Sequence, residues 1–137
     1  MKAQKNQNQD RRWHLLDADG AVLGRLSTQV AGALRGKIYP GFRPNLDQGD
    51  FVVVINCGKV RLTGNKEEQK RYYHHTGYLG NLKETSLAEL RAKKPEEIIR
   101  RAVWGMLPKN KLRDIFMKRL KVYAGATHPH TNAKFKN

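Results

Sequence analysis

Apolar positions recur along the first half of this chain in two rhythms. Leu23, Leu26, Val30 and Leu34 return at i, i+3, i+7 and i+11, the spacing of one face of an amphipathic helix. Gly36 follows as a natural left-handed cap, with Lys37 beside it. Ahead of the helix, Arg12 to Leu16 reads as a short strand, and Asp17-Ala18-Asp19-Gly20 supplies turn chemistry. Behind it, Tyr39-Pro40-Gly41-Phe42-Arg43-Pro44 is too rich in Pro and Gly to be anything but loop. Phe51-Val52-Val53-Val54-Ile55 is then an uninterrupted, largely β-branched run bounded by Gly49-Asp50 and Asn56-Cys57-Gly58, the mark of a strand buried on both faces. Strand, helix and buried strand together predict a βαβ unit and an α/β domain.

The second half carries weaker strand signals and stronger helical ones. Val60-Arg61-Leu62 suggests another short strand, and Gly64-Asn65-Lys66 a turn into the mixed segment Lys70 to Gly77. Pro95 followed by Glu96 and Glu97 starts a helix, with proline in the first turn and acids at the positive end of the dipole. In that helix Ile98, Ile99, Ala102, Val103 and Met106 share one face, Arg100, Arg101 and Trp104 fall on the other, and Pro108 ends it. Leu112, Ile115, Phe116 and Leu120 predict one more amphipathic helix, with Lys111 and Lys118 turned away from its stripe. With no internal repeat and no long linker, the expected organisation is a flexible extension over residues 1–11 followed by one domain over 12–137.

Charge narrows the function. The chain has 27 Lys and Arg against 12 acids, a formal net charge of +15. From Arg101 to Asn137 nine Lys or Arg face one acid, Asp114. Self-repulsion on that scale opposes the compact state unless a polyanion offsets it, and nucleic acid is the obvious counterpart. No run approaches the ~18 apolar residues of a membrane span, and Met1 to Asp10 has no hydrophobic leader core, so a soluble, cytoplasmic protein is expected. Cys57, the only cysteine, leaves no route to an intramolecular disulfide or a cysteine-rich zinc site and is expected as a buried thiol.

Catalytic motifs are faint. Gly32 to Ile38 resembles a phosphate-binding loop, but its glycines are one residue too close, Ile38 replaces the magnesium-holding hydroxyl, and the run ends a helix rather than opening one. Asp17 and Asp19 lack the remaining ligands of a calcium loop and suit a turn. The pairs His74-His75 and His128-Pro129-His130 lack a placed third ligand, so structural roles or contacts to RNA outrank metal binding, and no cofactor is expected. Lys66, Lys70 and Arg71 precede Tyr72, Tyr73, His74 and His75, interleaving cations with flat rings as recognition of single-stranded and looped RNA requires. On a strand, one tyrosine of the pair would instead face the core. Trp104 lies opposite the apolar stripe beside Arg100 and Arg101, placed to stack on a base or to pack under the Pro108 to Asn110 loop. The runs Lys109, Lys111, Arg113 and Lys118, Arg119, Lys121 are too poor in acids for an ordinary solvated surface.

The motifs themselves resemble a known family. Trp13…Asp17-Ala18…Leu23-Gly24-Arg25-Leu26, Leu34-Arg35-Gly36-Lys37, Asp47…Gly49-Asp50, Thr63-Gly64-Asn65-Lys66, Tyr72-Tyr73-His74-His75-Thr76-Gly77, Gly105-Met106-Leu107-Pro108-Lys109 and Leu120-Lys121-Val122-Tyr123-Ala124-Gly125…His128-Pro129-His130 occur together and in order. Over residues 12 to 130 the chain resembles bacterial-type ribosomal protein thirteen of the large subunit. The resemblance implies a three-layer α/β/α domain around a small, largely parallel sheet that binds large-subunit ribosomal RNA early in assembly, beside neighbouring large-subunit proteins, without catalysis, membrane or small-molecule substrate. It marks the Thr63 to Lys66 turn, Tyr72 to Gly77 and Gly105 to Lys109 as RNA-facing. Trp104 stands where the family commonly has a basic residue, exchanging a phosphate contact for stacking. The full expected contact set adds Arg35, Lys37, Thr76, Arg100, Arg101, Lys111, Arg113, Lys118, Arg119, Lys121, His128 and His130. A free RNA-binding translational regulator is the alternative that uses the same surface.

Overall fold

The computed structural model describes residues 11–135. In chain order its elements are β1 (Trp13–Asp17), α1 (Leu23–Arg35), β2 (Phe51–Ile55), α2 (Lys66–Gln69), β3 (Arg71–His75), β4 (Leu82–Ser86), α3 (Leu87–Lys93), α4 (Glu96–Met106), α5 (Leu112–Lys118) and β5 (Leu120–Val122). β1, β2 and β5 form a parallel sheet in the order β1-β2-β5, with Trp13 opposite Phe51 and Val52 opposite Leu120. β3 and β4 form a separate antiparallel hairpin. The domain is mixed α/β, as the hydrophobic pattern predicts. Residues 1–10 of the expected extension lie outside the described residues, whereas Arg11 donates to the carbonyl of Gly49 at 2.8 Å and belongs to the folded domain.

The two crossovers step across the sheet in the same direction, so right-handed connections place their helices on one face. There Val52 and Val54 of β2 and Leu120 and Val122 of β5 meet Leu23, Leu26, Val30 and Leu34 of α1 and Ile98, Ile99 and Val103 of α4 in one buried cluster. The other face is covered differently. Trp13 stacks on Phe51 with ring centroids 4.5 Å apart, and His130 and Phe135 of the C-terminal segment pack against Trp13. The C-terminal segment thus adds an aromatic cluster at this face, and Val53 is buried as fully as its neighbours.

Local chemistry sets the element ends. Gly36 adopts φ 76°, and the N–H groups of Gly36 and Lys37 return to the carbonyls of Ala33 and Gly32, a Schellman close to α1. Ser86 caps α3 by accepting from the Glu89 N–H. Leu107 is extended before Pro108, where α4 stops.

Three expectations fail in detail. Val60-Arg61-Leu62 is no strand: Arg61 makes one bridge to Val22, because the segment is pinched between a tight turn at Cys57–Lys59 and Gly64. The last helix ends at Lys118, and Leu120 leaves it to pair with the edge of β2, a long-range pairing invisible to helical periodicity. Met106 and Ile115, assigned to apolar stripes, are exposed. Cys57 is buried as expected, and burial pushes its thiol up to about 11, leaving it neutral. No described helix is long and apolar enough to cross a membrane.

The loop between α1 and β2 is tied down by Arg119. Its Nη1 donates to Asp47 Oδ2 at 2.7 Å, and its Nη2 stands 2.6 Å from Asp47 Oδ1 while donating to the carbonyl of Leu34 at 3.0 Å. Next to it, Asp50 accepts from the Arg12 N–H and from Tyr39 Oη, and lies 2.8 Å from His14 Nε2. Burial, then the bond to Asp50, pushes the Tyr39 hydroxyl up to about 12.

A Cβ on Gly49 would lie 1.6 Å from the Leu34 carbonyl oxygen and 2.9 Å from Arg119 Nη2. Gly49→Ala is expected to destabilise the fold by about 3 kcal/mol, read as a fall in the urea midpoint. Burial raises the Asp47 carboxyl, but the bonds from Arg119 and Arg11 outweigh it and hold the group below its ordinary 3.8. A depressed folded value contributes stability in full above 3.8, lost as pH falls through the folded value. Asp47→Asn should therefore flatten that part of the acid limb, and an unchanged acid limb would refute the pairing.

Candidate nucleic-acid interface

Acids and cations are sorted unequally over this fold. Asp47 and Asp50 are turned inward, and most remaining acids are held in ion pairs: Asp19 with Lys59, Glu67 with Arg91, Glu84 with Arg71, Glu89 with Lys93 and Glu97 with Arg101. Among the described residues no carboxylate lies within ion-pair distance of Lys37, Lys66, Lys70, Arg100, Lys109, Lys111 or Lys118. Their charge is left to solvent or to a partner. Such a surface attracts a polyanion.

One part of it is the end of α4. Trp104 projects from the face opposite the core and is 41% exposed. The Arg113 guanidinium lies over its ring, 4.5 Å from the centroid, held there because Nε donates to the carbonyl of Pro108 and Nη2 to that of Leu107. Two carbonyls at the helix end, that of Pro108 accepting also from the Asn110 N–H, thus orient a cation on the indole. Asn110 caps the next helix by accepting from the Leu112 N–H at 3.1 Å. Trp104, Lys109, Asn110, Lys111, Arg113 and Asp114 line an open cleft of about 490 Å³. An exposed indole backed by a fixed cation and flanked by two free ammonium groups can stack on a base and neutralise its phosphates.

α4 joins this cleft to the hairpin. Arg101 reaches over the Tyr72 ring at 5.0 Å, and Lys70 lies over it at 5.4 Å. Tyr72 itself packs half-buried against the core, and burial raises its hydroxyl above the ordinary value. It is the inward ring of the pair and positions two cations rather than offering a free face. Tyr73, His74, His75 and Thr76 are exposed, with His75 Nδ1 accepting from the Gly77 N–H at 3.0 Å and the Thr76 hydroxyl donating to the carbonyl of Asn81. Tyr78 and Leu79 at the hairpin tip are more exposed still.

Other expected contacts lie apart. Arg35 is half-buried over Phe42, while Lys37 is exposed just beyond the cap. Lys118 is exposed on α5, and Lys121 is half-buried on β5. Arg119 is corrected: at 6% exposed, with its guanidinium committed to Asp47 and Leu34, it holds the fold and is closed to phosphate. His128 and His130 are half-buried in the aromatic layer, His130 Nε2 lying 2.7 Å from Tyr123 Oη and Tyr123 packing against both rings. Among the described residues no group of three or more His, Cys, Asp or Glu is arranged to hold a metal ion. Sequence reasoning missed the hairpin tip, whose exposure depends on β3 and β4 pairing away from the main sheet. It also missed Arg91, which donates to the carbonyls of Gly58 and Val60.

Residues 11–129 match the family model described as ribosomal protein L13. The chain is similar to the large ribosomal subunit protein uL13 of Geobacter sulfurreducens, 54% identical over 129 residues that cover 94% of this chain and 90% of the relative. It is similar to the same-named protein of Syntrophobacter fumaroxidans, 58% identical over 120 residues covering 88% and 84%, and to that of Nitratidesulfovibrio vulgaris, 52% identical over 128 residues covering 93% and 89%.

Trp104→Ala should weaken binding to structured RNA by ~1–3 kcal/mol, the worth of one stacked base. The salt dependence should stay unchanged and Trp104→Phe should recover most of the loss. A shallower salt slope in Trp104→Ala would instead mean that the indole acts only by holding Arg113 in place.

Proposed function

The chain belongs to the ribosomal protein L13 family, and from that premise we propose that it is a structural constituent of the large ribosomal subunit, binding large-subunit ribosomal RNA during assembly. The observation that carries this reading is the cleft at the end of α4, where Trp104 backed by Arg113 stands beside Lys109 and Lys111. Nothing in this arrangement calls for bond making. The folded α/β core sets cations on separate elements, and phosphates of separate RNA helices meet them, so repulsion between those helices falls and they pack. Arg100, Arg101, Lys66, Lys70 and the exposed Tyr73, His74 and His75 extend the surface beyond the cleft. A-form grooves hide base edges from side chains, so tertiary shape, 2′-hydroxyls and splayed loops are the features recognised. Neighbouring large-subunit proteins share the same particle.

Sedimentation of lysate through a sucrose gradient containing high salt, with the protein followed by mass spectrometry, tests the placement. Near-stoichiometric retention in the large subunit is expected. Release to the top of the gradient would mean an exchangeable RNA-binding factor, such as a translational regulator. Each phosphate contact releases counterions, so replacing both Lys109 and Lys111 by Ala should shallow the log–log salt slope of RNA binding by roughly 1.5. An unchanged slope would remove both from the set of phosphate contacts.

A further inference from the structure

A second cavity, of about 240 Å³, opens where the start of α1 meets the last turns of α4, lined by Val22, Leu23, Gly24, Leu62, Thr63, Lys66, Lys70, Ala102 and Met106. Its walls are apolar, and two lysines and a threonine supply its polar groups. The volume falls below the ~300–1,000 Å³ of sites for drug-sized ligands, so it suits a single ring system.

Two features of the lining have no explanation in the fold itself. Gly24 is the second residue of α1 and has no left-handed φ, and a Cβ there would meet nothing within 4 Å. Neither backbone conformation nor packing requires glycine, which weakens a helix relative to alanine. Gly32 and Gly105 are equally unobstructed, but of the three only Gly24 borders the cavity. Met106 is 42% exposed although its helical position belongs to the apolar stripe, and its sulfur stands 3.5 Å from the Thr28 hydroxyl. A bare glycine and an exposed thioether both border the cavity, and thioethers pack well against aromatic rings.

The charges agree. Lys66 opens the short helix α2, and Lys70 is the extended residue just past its end. Lys70 is held over the Tyr72 ring, and Glu67 between them is turned to Arg91. Glu68 is exposed on the same helix. We propose that this cavity receives one unstacked nucleotide of an RNA chain, its base between Gly24 and Met106 and its phosphate at Lys66 and Lys70. The proposal rests on the RNA-binding reading above and gives it one defined subsite.

The test is a titration of the full, isotope-labelled chain followed by NMR, with the four nucleoside 5′-monophosphates, ribose 5-phosphate and single-stranded RNA hexamers as probes. At least one hexamer is expected to shift the Gly24, Thr63, Lys66 and Lys70 amides and the Met106 methyl, and to bind more tightly than its mononucleotide. Ribose 5-phosphate should leave the Met106 methyl unmoved. Gly24→Leu, whose Cβ meets nothing within 4 Å and whose longer side chain reaches into the cavity, should weaken that hexamer roughly tenfold or more, the loss of one stacked base. Met106→Gln is the second variant, expected to lose affinity in the same direction while keeping a folded spectrum. Equal Met106 shifts from ribose 5-phosphate, undiminished binding by Gly24→Leu, or a mononucleotide that binds as tightly as the hexamer would overturn the proposal. Retention of the unsubstituted protein in the large subunit through the high-salt gradient reports separately on the proposed function.

Discussion

The buried guanidinium of Arg119 is the contact on which the geometry of this domain turns. It joins three parts of the chain distant in sequence: the last carbonyls of α1 at Leu34, the carboxylate of Asp47 in the following loop, and the start of β5. A charge removed from water this far must be paired and hydrogen-bonded, and removing one partner leaves the other uncompensated. Gly49 is bare because the loop crosses the helix end too closely for a Cβ. Together they bring the chain to Phe51 at a fixed point, and β2 then sets the register of β1 and β5.

That arrangement decides which charges remain for a partner. The domain turns some carboxylates inward or against cations of the scaffold, and leaves the outer face of α4 and the segment after Pro108 basic. Concentrating like charge opposes the compact state, and a bound polyanion offsets it by stabilising only the folded form. The Trp104–Arg113 stack shows how order is obtained on such a surface. The cation is fixed by backbone carbonyls at a helix end rather than by an acid, so it keeps its charge for a ligand.

The second face of the sheet solves a different problem. A parallel sheet needs both faces covered, and both crossovers send their helices to the same side. The C-terminal segment supplies the missing cover with Tyr123, His128, His130 and Phe135 around Trp13 and Phe51. The histidines that look like ligands or RNA contacts in the sequence are partly absorbed by this packing.

Local signals determined much of this protein. The period of Leu23 to Leu34, the β-branched run of β2, Gly36 and Pro108 as stops, and Trp104 opposite an apolar stripe all follow from interactions within a few residues, and all appear as expected. What only the tertiary structure decided was long-range: that Leu120 leaves a helix to join β2, that Tyr72 faces inward and Tyr73 outward, and that Met106 overhangs a cavity. Above all it decided which cations are structural. Arg113, Arg119 and Lys109 are alike in a list of residues, and only the position of carbonyls and carboxylates brought from elsewhere in the chain buries one, fixes another on an indole and leaves the third free.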